Sequence, residues 1–507
     1  MRHLRSRVAL LSLGILAVLL LRHLLAGPAA PAAKQPKVTN LLTGATARLV
    51  GGVGDWVADG GSVSNTTSHV LTMTSDGSDL MTVSSGRRTA ARPGSVYQGT
   101  FGVRAKRVGR ETAPLLTFFD ATGNRLARVR GERSPDTADG WRPIAPVVAI
   151  APPGAAVVTL GLVVAGGAPD EEHLLERPVL SQQEPTRRAV VGPLHTSGTQ
   201  LRDARGPLVL QGIHRVALEG GMGSTTGQNL TAADLAEVRR WGGNVVRLSV
   251  SSAFWLRTDC HYDRDYRADV AAAVKAVTDQ RMVALVDLHT NTLTGCGQVA
   301  RQLMADSTAL QFWKEVATAF RANPLVAFDL YNEPHDISDQ VWLSGGPVRS
   351  ADGTLFRAAG MQQMYDVVRA AGATNLVVVS GNTYGSRLPA LRVHGVDVVY
   401  GVHAYTCPAS TESGCSADRF EPGPILGSWV GADIPVMVTE FGWPSGESGR
   451  YVRNVIAFAR EQGWGWIAFA WDGRADGRFT LLSTAGPGTT YEPSPAGMPV
   501  LAALAVR

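Results

Sequence analysis

Between Val209 and Trp471 the chain alternates eight apolar, strand-like runs with segments of helical period, and few architectures accept that rhythm. The runs are Val209–His214, Asn244–Val250, Met282–His289, Val326–Glu333, Asn375–Ser380, Val398–Tyr405, Pro435–Glu440 and Gly465–Trp471. Helical periods fall between them at Ala232–Trp241, Ala268–Gln280, Thr308–Arg321, Met361–Ala371 and Tyr451–Gln462. Alternating strands and helices form βαβ units, and eight of them over about 300 residues fit a (β/α)8 TIM barrel, an α/β fold. No Gly-x-Gly-x-x-Gly opens a helix, which disfavours a dinucleotide fold.

Residues 38–182 read differently. Short β-rich runs, such as Val70–Thr74, Val96–Phe101, Leu115–Phe119 and Val157–Leu162, are separated by Gly, Asp, Asn and Pro. Asp120-Ala121-Thr122-Gly123-Asn124 has hairpin-turn composition. With no long helical period, this part is expected to be an all-β jelly-roll sandwich preceding the barrel. A length of 507 residues is too great for one compact domain and agrees with two folded units. The expected organisation is a terminal segment at 1–33, a sandwich at 38–182 and a barrel at 196–507.

The terminal segment has the build of an export signal or an uncleaved membrane anchor. Arg2, Arg5 and Arg7 precede an apolar run from Val8 to Leu21, and Ala30-Pro31-Ala32 offers a cleavage pattern. Either way the body of the chain is expected outside the cell, secreted or on the outer face of the membrane. These residues also explain the charge. Of the formal +5, four come from the arginines of residues 1–33, which contain no acid. The remainder is nearly neutral, so a nucleic-acid partner is not expected. Four cysteines, Cys260, Cys296, Cys407 and Cys415, suit disulfides in an exported chain and have no zinc-ligand spacing. Three pairings are open. Placement favours Cys407 with Cys415, leaving Cys260 for Cys296.

In a barrel of this kind, chemistry sits at the C-terminal strand ends. The fourth run ends Tyr331-Asn332-Glu333-Pro334 and the seventh ends Val438-Thr439-Glu440-Phe441-Gly442, each bringing one carboxylate to the rim. Two carboxylates from different strands are what glycoside hydrolysis requires: one protonates the leaving oxygen while the other attacks or directs water. One such glutamate alone could as well be a solvated charge.

The flanking residues sharpen this. Asn332-Glu333-Pro334 and Thr439-Glu440-Phe441-Gly442 resemble the strand ends of the family 5 glycoside hydrolases, the cellulase family, and the resemblance covers most of residues 196–480. It takes in Asn244-Val245-Val246-Arg247-Leu248, Asp287-Leu288-His289, His403-Ala404-Tyr405 and Trp471. Eight positions the family uses are matched in order: Arg247, His289, Asn332, Glu333, His403, Tyr405, Glu440 and Trp471.

The resemblance implies a retaining double displacement, with Glu440 as nucleophile and Glu333 as acid and then base. The carboxyl groups should then lie roughly 5–5.5 Å apart. Glu333 is expected to have a raised pKa and Glu440 a low one. Arg247 and Tyr405 would keep Glu440 ionised, Asn332 would bond a sugar 2-OH, His289 and His403 would bond hydroxyls or the two glutamates, and Trp471 would offer a sugar platform. Trp255 and Trp443 could extend that platform or pack loops, and Glu219 stands near the rim. Asp287 and Asp329, inside strands, are expected to pair with buried cations or with backbone.

The implied partner is a β-linked polysaccharide, foremost β-1,4-glucan, cut internally by a monomer without cofactor or metal. Mannan, β-1,3-glucan, xylan or a glycolipid, a non-catalytic envelope lectin and an envelope transglycosylase are the alternatives. Residues 38–182 are similar, in pattern only, to carbohydrate-binding modules, through Phe118-Phe119-Asp120, Gly140-Trp141-Arg142-Pro143 and Ala151-Pro152-Pro153-Gly154. Trp56 and Tyr97 are the candidate sugar-stacking aromatics there, or core residues.

Overall fold

The computed structural model describes residues 39–67, 69–87, 89–184, 189–216, 218–220, 230–293, 296–350, 353–406, 421–443, 449–472, 479–483 and 491–505. The expected export or anchor segment and the Cys407–Cys415 pair lie outside these residues. No helix among the described residues is long and apolar enough to cross a membrane.

Two antiparallel sheets form the N-terminal sandwich. One orders the strands Val57–Asp59, Leu80–Ser84, Val157–Ala165, Glu111–Phe119 and Arg125–Arg130 side by side. The other orders Arg142–Pro143, Val96–Ala105, Glu172–Gln183, Val70–Ser75 and Gly61–Thr67. Strand alternation sends Val83, Leu116, Phe118, Val158, Leu160 and Leu162 into the space between the sheets, with Leu71, Met73 and Val103 from the other side. Asp120 makes the hairpin turn by accepting from the backbone N–H groups of Thr122 and Asn124, each at 2.9 Å. Of the two readings of the candidate aromatics, the structure takes the core one. Trp56 (2% exposed) and Tyr97 (0%) are core residues: the Trp56 indole donates to the Thr46 carbonyl, and the Tyr97 ring stands edge-on to Phe118. Apolar area outweighed the polar handle in both.

The barrel strands are β1 (Gln211–Arg215), β2 (Val245–Ser251), β3 (Val283–Thr292), β4 (Val326–Asp329), β5 (Val377–Ser380), β6 (Val398–Ala404), β7 (Val436–Phe441) and β8 (Gly465–Ala468). Each pairs in parallel with the next, and β8 pairs with β1, so the sheet closes. Helices Ala232–Trp241, Tyr266–Asp279, Thr308–Phe320, Met361–Ala370 and Arg450–Gln462 cover its outside. The first shows how local sequence sets such an element. Thr231 and Asp234 form a reciprocal capping box at its start, and Gly242, at φ 107°, takes the left-handed turn that ends it. The fifth repeat is incomplete in one respect: among the described residues no helix connects β5 to β6.

Alternation within the barrel divides its interior into layers. Val246, Leu248 and Val250 of β2 join the outer apolar cluster beneath the helices. Val245, Val283, Leu285, Ala327, Val378 and Ile467 point inward and are plugged from below by Leu194, Leu208 and Leu210, which flank a small sheet at 195–207. Two residues further along the same faces the interior turns polar, at Arg247 on β2, Asp287 on β3 and Asp329 on β4. The sandwich joins the barrel through Val96, Val148 and Ile150, which belong to the barrel's apolar cluster, and through the ion pair of Arg453 with Glu132.

Candidate active site

The polar layer is organised around Arg247, whose guanidinium is fully buried. It reaches Asp287 at 3.0 Å, Asp329 at 2.9 Å and Glu440 at 2.8 Å, and donates to Asn332 Oδ1 at 3.0 Å. One cation thus faces three carboxylates in a dry interior, which cannot all carry full charge at low cost. The balance falls unevenly. Burial, reinforced by Asp287 and opposed by Arg247, raises the Asp329 carboxyl to about 7. Asp287 meets the same burial, but Arg247 and His289 draw it below the ordinary carboxylate range.

Glu440 reaches this layer by an irregularity. Met437 already faces the barrel interior, so strict alternation would turn Glu440 outward. Against both neighbours, however, β7 carries one extra residue: Val402 and His403 oppose Val438 and Glu440, and Trp466 and Ala468 oppose Val438 and Phe441. A one-residue bulge of this kind re-aims a side chain, and here it turns Glu440 inward, opposite His403. Its Oε2 accepts from Arg247 and lies 3.4 Å from His214 Nδ1, while its Oε1 accepts from the Tyr405 hydroxyl at 2.9 Å. Burial pushes the Glu440 carboxyl up, but His403, His214 and Arg247 together hold it well below the ordinary range. Burial and the neighbouring anion push the Tyr405 hydroxyl far above 10, so it remains a donor.

Glu333 follows β4 beyond Asn332. His403 Nδ1 contacts its Oε1 at 3.1 Å, and the Arg301 guanidinium pairs with its Oε2. One oxygen of Glu333, one oxygen of Glu440 and a His403 nitrogen all lie within 4.8 Å of one another. The expectation of a raised Glu333 pKa is not met in this arrangement. Burial and Glu440 push the carboxyl up, but the His403 hydrogen bond and the charges of His403 and Arg301 carry it below its ordinary value.

Glu333, His403, Tyr405 and Glu440 line a cleft of about 600 Å³, together with Arg301, Tyr384, Phe469 and Phe479. Arg247 and Asn332 lie beneath it. His289 stands to one side, held by Asp287 at 2.7 Å and contacting the Asn332 amide at 3.4 Å. Trp471 does not line the cleft. It is 1% exposed, packs edge-on against Trp241 and donates to Asp234 at 3.4 Å. The aromatic presented from the end of β8 is Phe469, two residues earlier. After it the Trp471 N–H bonds the His214 carbonyl, which draws the chain back over β1. Trp255 and Trp443 are buried packing residues, against Phe312 and Tyr451. Glu219 is outside the cleft lining, and its carbonyl accepts from Thr290. Arg301 escaped the strand-end reading because it follows Val299–Ala300, a short strand antiparallel to the extension of β3. Cys296, disulfide-bonded to Cys260, ties the same loop to the barrel.

The description Cellulase (glycosyl hydrolase family 5) matches residues 210–475, more than half of the chain and the whole run of barrel strands. The chain belongs to glycosyl hydrolase family 5. Among its family relatives, Endoglucanase 3 of Humicola insolens is 26% identical over 249 residues, 44% of this chain and 59% of that protein. The probable endo-beta-1,4-glucanase B of Aspergillus oryzae is 34% identical over 125 residues, 24% of this chain and 32% of that protein. The mannan endo-1,4-beta-mannosidase of Salipaludibacillus agaradhaerens is 20% identical over 292 residues, 55% and 82% respectively. The chain thus spans between about a third and three-fifths of the length of these endoglucanases. A crystal structure of an endo-beta-1,4-glucanase from Xanthomonas axonopodis pv. citri, 19% identical, superposes with a TM-score of 0.46 over 59% of this chain and 99% of that one.

Proposed function

We propose that the protein is an endo-acting, retaining β-glycoside hydrolase whose substrate is a β-1,4-glucan. The observation that carries this reading is the approach of Glu333 and Glu440 to within 4.8 Å. One oxygen of each at that range supports direct attack by a carboxylate over the wider carboxyl spacing, roughly 6.5–9.5 Å, that an inverting mechanism uses. Family membership and the endoglucanases among the relatives support the substrate class.

The two carboxylates divide the work by environment. Glu440, kept anionic by Arg247 and by the Tyr405 hydroxyl, attacks the anomeric carbon. Glu333 protonates the departing oxygen, and as a carboxylate it then takes a proton from the water that releases the glycosyl group. For the first step Glu333 must hold a proton, so substrate binding has to draw Arg301 away from it. Asn332, fixed by Arg247 and His289, is positioned to bond the sugar 2-OH, and Phe469 offers an apolar face to the ring. Residues 1–33 are read as the export or anchor segment of a monomer acting outside the cell, 38–182 as an accessory sandwich and 196–507 as the catalytic unit.

The test is turnover of an aryl β-cellobioside, with a product profile on cellulose, lichenan, mannan and xylan. Glu440→Gln should lose about 10³-fold or more in kcat, the scale on which a nucleophile contributes. Absence of turnover on every β-glycoside by the wild type would refute the reading, and exclusive release of mannan products would move the substrate to β-mannan.

A further inference from the structure

The sandwich sheet of Val57–Asp59, Leu80–Ser84, Val157–Ala165, Glu111–Phe119 and Arg125–Arg130 turns one face to the core, and its register fixes what stands on the other. Thr159 pairs with Thr117 and Thr117 with Arg128; one step along, Val157 pairs with Phe119 and Phe119 with Arg125. A one-residue bulge at Leu126 brings Arg125 into phase with Arg128. Of these residues, Thr117, Phe119, Arg125, Arg128 and Thr159 line a groove of about 530 Å³.

Its chemistry is distinctive. Thr117 and Thr159 are 7% and 3% exposed, and their hydroxyls bond no other described residue. Buried hydroxyls that line a groove without partners are positioned for a polar ligand. Arg87, Arg125 and Arg128 also line the groove, and none has a carboxylate partner among the described residues; Asp59 is the one carboxylate in the lining. Arg87 lies over the Phe119 ring at 3.9 Å, so that aromatic face is already covered and cannot stack on a sugar. Arg130 and Arg133 extend the cationic stripe. Burial and the charges of Arg133 and Arg128 push the Arg130 guanidinium below its ordinary range, a sign of like charges crowded without a counter-ion.

We propose that this groove binds an anionic polysaccharide, one bearing carboxylate or phosphate groups, with Arg125 and Arg128 on the anions and Thr117 and Thr159 on ring hydroxyls. Guanidinium forks match both kinds of anion. The proposal is independent of which bond the barrel cleaves.

The experiment is calorimetric titration of the full chain, carrying Glu440→Gln so that no ligand is consumed. The probes are hexagalacturonate, an oligomeric glycerol phosphate and neutral cellohexaose. At least one anionic probe should bind, and which one identifies the anion. In the double variant Arg125→Ala/Arg128→Ala that affinity should fall by about tenfold or more for each arginine. Thr117→Val should weaken it severalfold, while cellohexaose binding is unchanged in both. Arg264→Ala, which removes an exposed cation far along the chain, is the control for general charge. The proposal is overturned if neither anionic probe binds, if binding survives both groove variants, or if Arg264→Ala weakens it as much as the double variant.

Discussion

Arg301 makes the sharpest test of how this site is tuned. Its guanidinium pairs with Glu333 but is itself half exposed, at 50%. Two unit charges about 4 Å apart interact by ~1 kcal/mol in water and ~4 kcal/mol at an effective dielectric of ~20. Exposure of this degree places the pair near the lower figure, since solvent screens it. Together with the hydrogen bond and charge of His403, this cation holds the Glu333 carboxyl below its ordinary value. The sign follows directly. A neighbouring cation favours the carboxylate, so its removal raises the Glu333 pKa and lets the protonated acid persist to higher pH. Arg301→Gln should therefore move the basic limb of the kcat/KM–pH profile upward, measured on an aryl β-cellobioside. Arg301→Lys, which keeps the charge, should leave the limb near its wild-type position. A limb that stays in place or moves down in Arg301→Gln would refute the assignment of Glu333 as the acid governed by this cation.

The other perturbations probe the layer beneath and the loop beside it. Asp329, raised to about 7, contributes stability that is fully present below its unfolded pKa of about 3.9 and is lost as pH rises through about 7. Asp329→Asn removes that contribution, so between pH 5 and 8 the variant's thermal midpoint should fall less than the wild type's; an equal or steeper fall would count against a protonated Asp329. Arg247→Met strands Asp287 and Glu440 without their cation and should cost about 3–5 kcal/mol in denaturant unfolding, with activity lost. The Cys260–Cys296 bridge spans 36 residues of sequence, and replacing both with Ser should destabilise by about 3–4 kcal/mol on the loop-entropy account. An unchanged melting midpoint in that double variant would show that the loop is held by its packing instead.

The barrel was legible because its rule is topological. Eight apolar runs at regular intervals admit few closures, and strand ends at Glu333 and Glu440 had to meet at one rim. What escaped was set by interactions that pattern does not carry. Strict alternation from Met437 would face Glu440 away from the interior, and only pairing with both neighbouring strands exposes the extra residue that turns it back. Phe469 and Trp471 have equal claim to the end of β8 until the hydrogen bond from Trp471 to His214 chooses between them. Arg301 stands on a connection whose course depends on a disulfide and a two-residue strand, so no periodicity marks it. Trp56 and Tyr97 were left open between sugar stacking and the core, and in a sandwich thin enough to need every large side chain, aromatic rings are drawn into the core.

The guanidinium of Arg247 joins side chains carried by strands two, three, four and seven, so the group that governs the proposed nucleophile is also a rivet of the barrel wall. Fraying at any of these staves would leave charge stranded in an oily cylinder. The floor of the cleft is therefore poor ground for substitution, and the loops around the mouth can change at lower cost.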